Sequence, residues 1–162
     1  MVSTKSSQPA NAERRLSELG IELPPAPTPL GAYAESVQTG NLLYLSGVLP
    51  VAGHEAKFIG RLGGKYNVDQ GREAARLATL NALSVTKDHL GSLDRVTRVV
   101  KLTVYMATEG DFSAHAKVAD GASELLRDVF GDGKLPVRMV VGVASLPLGV
   151  PVVAEVIFEV TA

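Results

Sequence analysis

An α+β fold is predicted for this chain: a single mixed β-sheet with two long helices packed on one face. Three observations predict it. Segments of two-residue and 3.6-residue periodicity follow one another as strand-strand, helix, strand, helix, strand-strand. Two helices of this kind suffice to cover one face of one sheet. The strands carry apolar residues among polar neighbours on their second face as well, so that face also needs a cover, and a second copy of the chain is the economical one.

The 162 residues are most simply one domain, long enough to bury a core without staples. With 46% hydrophobic and 20% charged residues, 16 basic against 17 acidic side chains and a net charge of -1, nothing draws the chain to nucleic acid or an anionic membrane. The absence of cysteine excludes disulfides, thiolate nucleophiles and Cys-ligated zinc or iron–sulfur centres. Residues 1–10 are polar and lack a signal-peptide core, and no apolar run approaches the roughly 20 residues of a membrane span. A cytoplasmic protein with no membrane or nucleic-acid partner is the default expectation.

Residues 1–10 read as a disordered tail. Residues 11–30 read as a short helix over Ala12–Leu19, capped by Asn11 and stopped by Gly20, followed by the extended connector Pro24 to Pro29. The main domain, residues 31–162, opens with strands over Tyr33–Gln38 and Leu42–Ser46 around the hairpin turn Thr39-Gly40-Asn41. Residues 51–65 are glycine-rich and read as a loop with at most a short strand at Lys57–Ile59. Gly60 to Gly64 lacks the Lys-Ser/Thr of a phosphate-binding loop.

Asp69–Leu90 is the first long helix, with Asp69 as its cap, Gly91 as its stop and Ala74, Leu77, Ala78, Asn81, Ala82 and Val85 on one side. Leu80 and Leu83 lie off that stripe and predict a second contact. Val96–Met106 is a long strand with Val96, Val100, Leu102, Val104 and Met106 on one face; Arg98 is an exception near its start. A second helix begins at Asp111 or Ser113 and runs to about Phe130. After the Gly131-Asp132-Gly133 turn come Arg138's strand, a Leu-Pro turn at Leu146–Pro151, and a closing strand over Val152–Val160.

Arg138 is the one charge set inside an apolar run, Leu135 to Val143, that reads as a buried strand. It shares a face with Val140 and Gly142, and Val140 is assigned with Val153 and Ile157 to the face the helices leave open. A guanidinium there needs an anion. That anion is either a carboxylate of this protein, Glu155 being one candidate, or the carboxylate of a ligand held in the arginine fork. His54, His89 and His115 show no ligand-pair spacing, so no metal is expected; His89 suits the C-terminal end of a helix dipole.

Four stretches in order resemble the YjgF/RidA family of reactive-intermediate deaminases. They are Gly31-Ala32-Tyr33-Ala34-Glu35, Leu45-Ser46-Gly47-Val48-Leu49-Pro50, the helix with Thr79 to Leu83 followed by Val99–Met106 and Asp111-Phe112, and Leu135-Pro136-Val137-Arg138 with Ala144-Ser145-Leu146-Pro147. The resemblance implies a chorismate-mutase-like fold, a homotrimer around a central β-barrel, and clefts between subunits for a small carboxylate metabolite. It also implies hydrolysis of 2-imino or enamine acids to 2-keto acids and ammonia without a cofactor or metal. On that resemblance Arg138 holds the substrate carboxylate, Tyr33 lines the pocket, and Ser46 with Gly47 sits near its wall.

The same alignment puts Val153 where the family's water-positioning glutamate belongs, and leaves Glu155 as the nearby carboxylate. That residue is two positions on, about 6.6–6.8 Å along the strand. Ala32, Glu35, Val48 and Ala116 stand where the family has Pro, Gln, Gln and Asn. Two functions follow as expectations: an imine or enamine deaminase anchored by Arg138, or a catalytically silent trimer that binds a small carboxylate. The endoribonuclease label used for the family finds no histidine pair and no basic, aromatic-studded surface in this sequence.

Overall fold

The computed structural model describes residues 11–162; the expected disordered tail lies outside the described residues. In chain order the elements are α1 (Ala12–Glu18), β1 (Ser36–Thr39), β2 (Leu42–Leu45), β3 (Val51–Ala52), β4 (Glu55–Ala56), α2 (Val68–Leu90), β5 (Val96–Ala107), α3 (His115–Phe130), β6 (Val137–Val143) and β7 (Val152–Val160). Five strands form one sheet in the order β1-β2-β7-β5-β6, with only β5 and β6 parallel; β3 and β4 make a separate small hairpin. The α+β expectation of one mixed sheet under two long helices therefore holds.

Side-chain alternation decides what each face does. Leu102, Val104 and Met106 of β5 and Val152, Ala154, Val156 and Phe158 of β7 bury against the helix layer. The opposite face carries Lys101, Thr103, Tyr105, Val153, Glu155 and Ile157, flanked by Tyr44 on one side and Val137, Met139 and Val141 on the other. Among the described residues nothing covers its flanks, where Val137 is 69% exposed, Val37 55% and Met139 53%, whereas Thr103 and Val153 at its centre are buried.

Several local expectations change. Asn67, not Asp69, caps α2, through a reciprocal capping box with Gln70. The second long helix starts only at His115, and Ala114 offers no side-chain cap. Lys57–Ile59 is not a strand; the short strands are β3 and β4, ahead of it. Register shifts in β5 between Val96 and Arg98 and between Val99 and Lys101 turn Val99 into the core and Val100 partly out, reversing the plain alternation. His89 is held by side chains, hydrogen-bonding Ser36 Oγ at 3.2 Å and Gln38 Oε1 at 3.0 Å.

The largest correction concerns Arg138's strand. It is not buried but forms the sheet edge, bonded on one side only, to β5. Its apolar run reads as a core strand because Val137, Met139 and Val141 face the uncovered side, where hydrophobicity without burial marks a surface awaiting a partner. Arg138 and Val140 stand opposite Leu102 and Val104, on the helix side, so Val140 does not belong to the open face with Val153 and Ile157.

The N-terminal helix closes the helix layer. Ala12 and Leu16 bury against the core, and Glu13 accepts hydrogen bonds from Lys87 Nζ and Leu93 N, both at 2.9 Å. Burial works against its ionisation, yet these two donors outweigh burial and hold the carboxyl below its ordinary range. Beyond it, the Pro24 carbonyl accepts a hydrogen bond from Ser84 at 2.6 Å, tying the extended connector to α2.

Candidate functional site

Tyr33, Ser46 and Gly47 meet at the end of β2. The Ser46 backbone N–H donates to Glu35 O at 2.9 Å and its hydroxyl to Ala34 O at 2.6 Å, so both donors of this serine are spent holding the Tyr33–Glu35 segment. The oxygen lone pairs remain to accept from a ligand. The next residues zip onto β7 through Val48 and Ala154, which exchange hydrogen bonds of 2.7 and 3.0 Å. Buried Asn81 on α2 pins the following turn, donating to Leu49 O at 3.0 Å and Val51 O at 2.8 Å. Asn81 falls in the helix stripe that periodicity finds, but only the tertiary structure reveals this role.

Tyr33, Ser46 and Gly47, with Leu30, Leu49, Tyr105, Leu146, Pro147 and Val153, line a cleft of ≈ 470 Å³, of a size that suits a small metabolite. A Cβ at Gly47 would lie 3.0 Å from Val153 Cγ1, so glycine lets the wall close on β7. Leu148 adopts a left-handed backbone with φ 59°, uncommon for an apolar side chain, in the turn that carries Leu146 and Pro147. The Gly60 N–H braces that turn at Gly149 O, 2.9 Å, and Leu62 N bonds Ala107 O at 3.0 Å. The glycine-rich segment thus ties that turn to the end of β5.

Behind the same wall, Glu35, Thr28, Val48, Val51 and Val85 enclose a cavity of ≈ 30 Å³, enough for a water or two and no more. Burial, reinforced by the nearby Asp88 carboxylate, pushes the Glu35 carboxyl above its ordinary range.

Arg138 stands elsewhere. Its strand is bonded to β5, which carries the cleft's Tyr105, but Arg138 stands opposite Leu102 on the helix side of the sheet, whereas Tyr105 and Val153 meet the cleft from the open face. Its Nη1 donates to Asp120 Oδ1 at 2.7 Å and Ser123 Oγ at 3.1 Å, both on α3, in a depression completed by Glu124, Arg127, Leu135 and Pro136. The carboxylate it finds within the chain is therefore Asp120, and Glu155 has no bond to it. Glu155 sits on the open face opposite Thr103 and lines neither cleft. Sequence reasoning passed over Asp120 and Ser123. Their three-residue spacing on one helix face was visible, but the strand that face meets was not.

Within one chain, then, there is a shaped, largely apolar cleft with no cation in its lining, and a separate depression against α3 that holds Arg138 with its acidic partner. The histidines join neither: His54 contacts Thr28, and His115 packs edge-on to Phe112 beside Gly142. Among the described residues no helix is long and apolar enough to cross a membrane.

Residues 13–159 match the family described as "YjgF/chorismate mutase-like, putative endoribonuclease". The protein TCP17 of Trypanosoma cruzi is 40% identical over 146 residues, 89% of this chain and 91% of its own length. A protein of Dermatophagoides farinae named 2-iminobutanoate/2-iminopropanoate deaminase is 32% identical over 127 residues, 78% of this chain and 84% of its own. Among solved structures, Atu1372 of Agrobacterium tumefaciens superposes with a TM-score of 0.83 at 35% identity, covering 93% of this chain and 94% of that one.

Proposed function

The chain belongs to the YjgF/RidA family, and on that premise we propose that it is a homotrimer whose intersubunit clefts bind a small metabolite carboxylate. The observation that carries this reading is the division of the site. Tyr33, Ser46 and Gly47 line a cleft that has no cation among its lining residues, whereas Arg138 lies outside that lining, on the edge strand that carries the exposed Val137 and Met139 of the open face. Burying that face between subunits supplies the missing cover and brings one subunit's sheet edge toward another's cleft. Arg138 then anchors the carboxylate, Tyr33 packs on the ligand body, and Ser46 accepts a hydrogen bond from it.

A second reading, hydrolysis of 2-imino acids, is favoured by the deaminase name of the Dermatophagoides farinae relative and by a carboxyl, Glu35, that burial and Asp88 raise above its ordinary range behind the wall. Water would add to the C=N carbon and the resulting carbinolamine would release ammonia, leaving the 2-keto acid. The apolar Val153 in the cleft leaves the water-positioning role to another group, with Glu35 and Glu155 as the carboxylates to test.

The deciding assay generates 2-iminobutyrate in situ and follows keto-acid release with wild type, Arg138→Ala, Glu35→Gln and Glu155→Gln. Release above a protein-free blank that is lost in Arg138→Ala assigns the enzyme. A wild-type rate equal to the blank, with 2-oxobutanoate still protecting wild type but not Arg138→Ala against heat, assigns the binding protein. Failure of 2-oxobutanoate to protect any variant, with no release above the blank, removes both.

A further inference from the structure

We propose that Asp120 and Ser123 are positioning residues that aim the Arg138 guanidinium so that it receives a carboxylate side-on. The inference rests on the reading of Arg138 as a carboxylate anchor. It comes from which nitrogen is occupied. A guanidinium has five N–H groups in a planar fork, two of them on Nη1. Both of those have acceptors here, Asp120 Oδ1 at 2.7 Å and Ser123 Oγ at 3.1 Å. Among the described residues, Nε and Nη2 have no partner within the chain. Those two nitrogens form one edge of the fork, matched in spacing to the two oxygens of a carboxylate. Asp120 thus occupies the end of the fork that leaves the side-on edge open.

The support for this geometry is rigid. Asp120 and Ser123 are three residues apart, on one face of α3, which packs over β5 and β6. Between them Gly121 lies against α2, where a Cβ would collide with the Arg72 backbone, so α3 sits close to α2 and cannot be displaced outward without loss of packing. As an ion pair alone the contact has little to do: the Arg138 side chain is 26% exposed and that of Asp120 45%, and pairs at such exposure add little to stability. Holding a flexible arginine in one orientation before a ligand arrives is work that the same contact does well, because a preordered fork loses less freedom on binding.

The test measures the affinity of the full-length protein for 2-oxobutanoate by calorimetry, in wild type, Arg138→Ala, Asp120→Ala, Asp120→Asn and Ser123→Ala. Unliganded melting temperatures are recorded for each, to separate misfolding from lost binding. Asp120→Ala is expected to weaken binding about tenfold with an unchanged melting temperature, and Ser123→Ala by a smaller factor. Asp120→Asn keeps an acceptor for Nη1 and should bind as wild type does or more tightly, since a negative charge near the ligand is gone. If Arg138→Ala loses the ligand while Asp120→Ala binds as tightly as wild type, the positioning role is overturned and the anchor survives. If Asp120→Ala binds more tightly, Asp120 is a competitor for the guanidinium and the inference again fails. If Arg138→Ala binds normally, or wild type does not bind at all, the anchor reading falls and takes this inference with it.

Discussion

The two ends of the sheet solve opposite problems. At the β2 end, backbone hydrogen bonds among Glu35, Ser46, Val48 and Ala154, and one from the Ser46 hydroxyl to Ala34 O, shape a cleft whose walls are mostly apolar. At the β6 edge, Arg138 presents a charge on a strand bonded on one side only, with 69% and 53% of Val137 and Met139 exposed beside it. The first has shape with no charge in its lining, and the second has a charge in a separate depression against α3. The difference teaches that a binding site need not be complete within a folded chain: each half is stable alone because neither buries an unpaired charge.

Breaking the apolar face should have the largest effect. Met139→Glu places a carboxylate in the middle of the surface proposed to be buried between subunits, where it would lack a partner. Light scattering is expected to report a trimeric mass for wild type and a monomer for the variant. A wild-type monomer would end the idea of a shared cleft.

A smaller effect is expected at the β2 end, where Gly47→Ala brings a methyl group to 3.0 Å from Val153 Cγ1. Urea unfolding should show a loss of about 1–3 kcal/mol, the usual cost of overpacking. The double variant Gly47→Ala/Val153→Ala should recover part of it, and additive losses would show that the wall yields elsewhere.

The smallest effect sharpens the electrostatic side of the comparison. Glu35 has its carboxyl raised by burial and by Asp88, so the folded state holds that proton more tightly than the unfolded chain does. Stability from this group is therefore present at low pH and is lost as pH rises from the ordinary 4.5 through the raised folded value. Glu35→Gln should flatten the stability–pH curve in that window, with little change at pH 3. Glu13, shifted the other way, contributes stability that is lost as pH falls through its lowered value, so Glu13→Gln should flatten the curve on the acid side of 4.5.

Much of this was legible beforehand. The apolar spacing of α2, the glycine stops at Gly91 and Gly131, and the hairpin at Gly40 are local signals, and local signals survive into the structure. Where the reading failed, a non-local cause is at hand. The inversion at Val99 comes from bulges set by the pairing of β5 with β7, and the exposure of β6 comes from its place at the end of the sheet. Tyr33, Ser46 and Gly47, which lie in two separate motifs, line one cleft, and its ligand is a matter for the binding assay. Asp120 and Ser123 were missed because a charged residue on an amphipathic helix ordinarily faces water.

By itself, then, the sequence determined the α+β class, the order of the elements, and the residue types available for chemistry, because periodicity and turn residues act over a few positions. Only the tertiary structure decided that Arg138 answers to Asp120 and not Glu155, and that its strand is an edge. It also decided that the cleft at Gly47 does not include Arg138 in its lining. Strand order and register are set by contacts between residues distant in the chain, and no local pattern of side chains encodes which neighbours those will be.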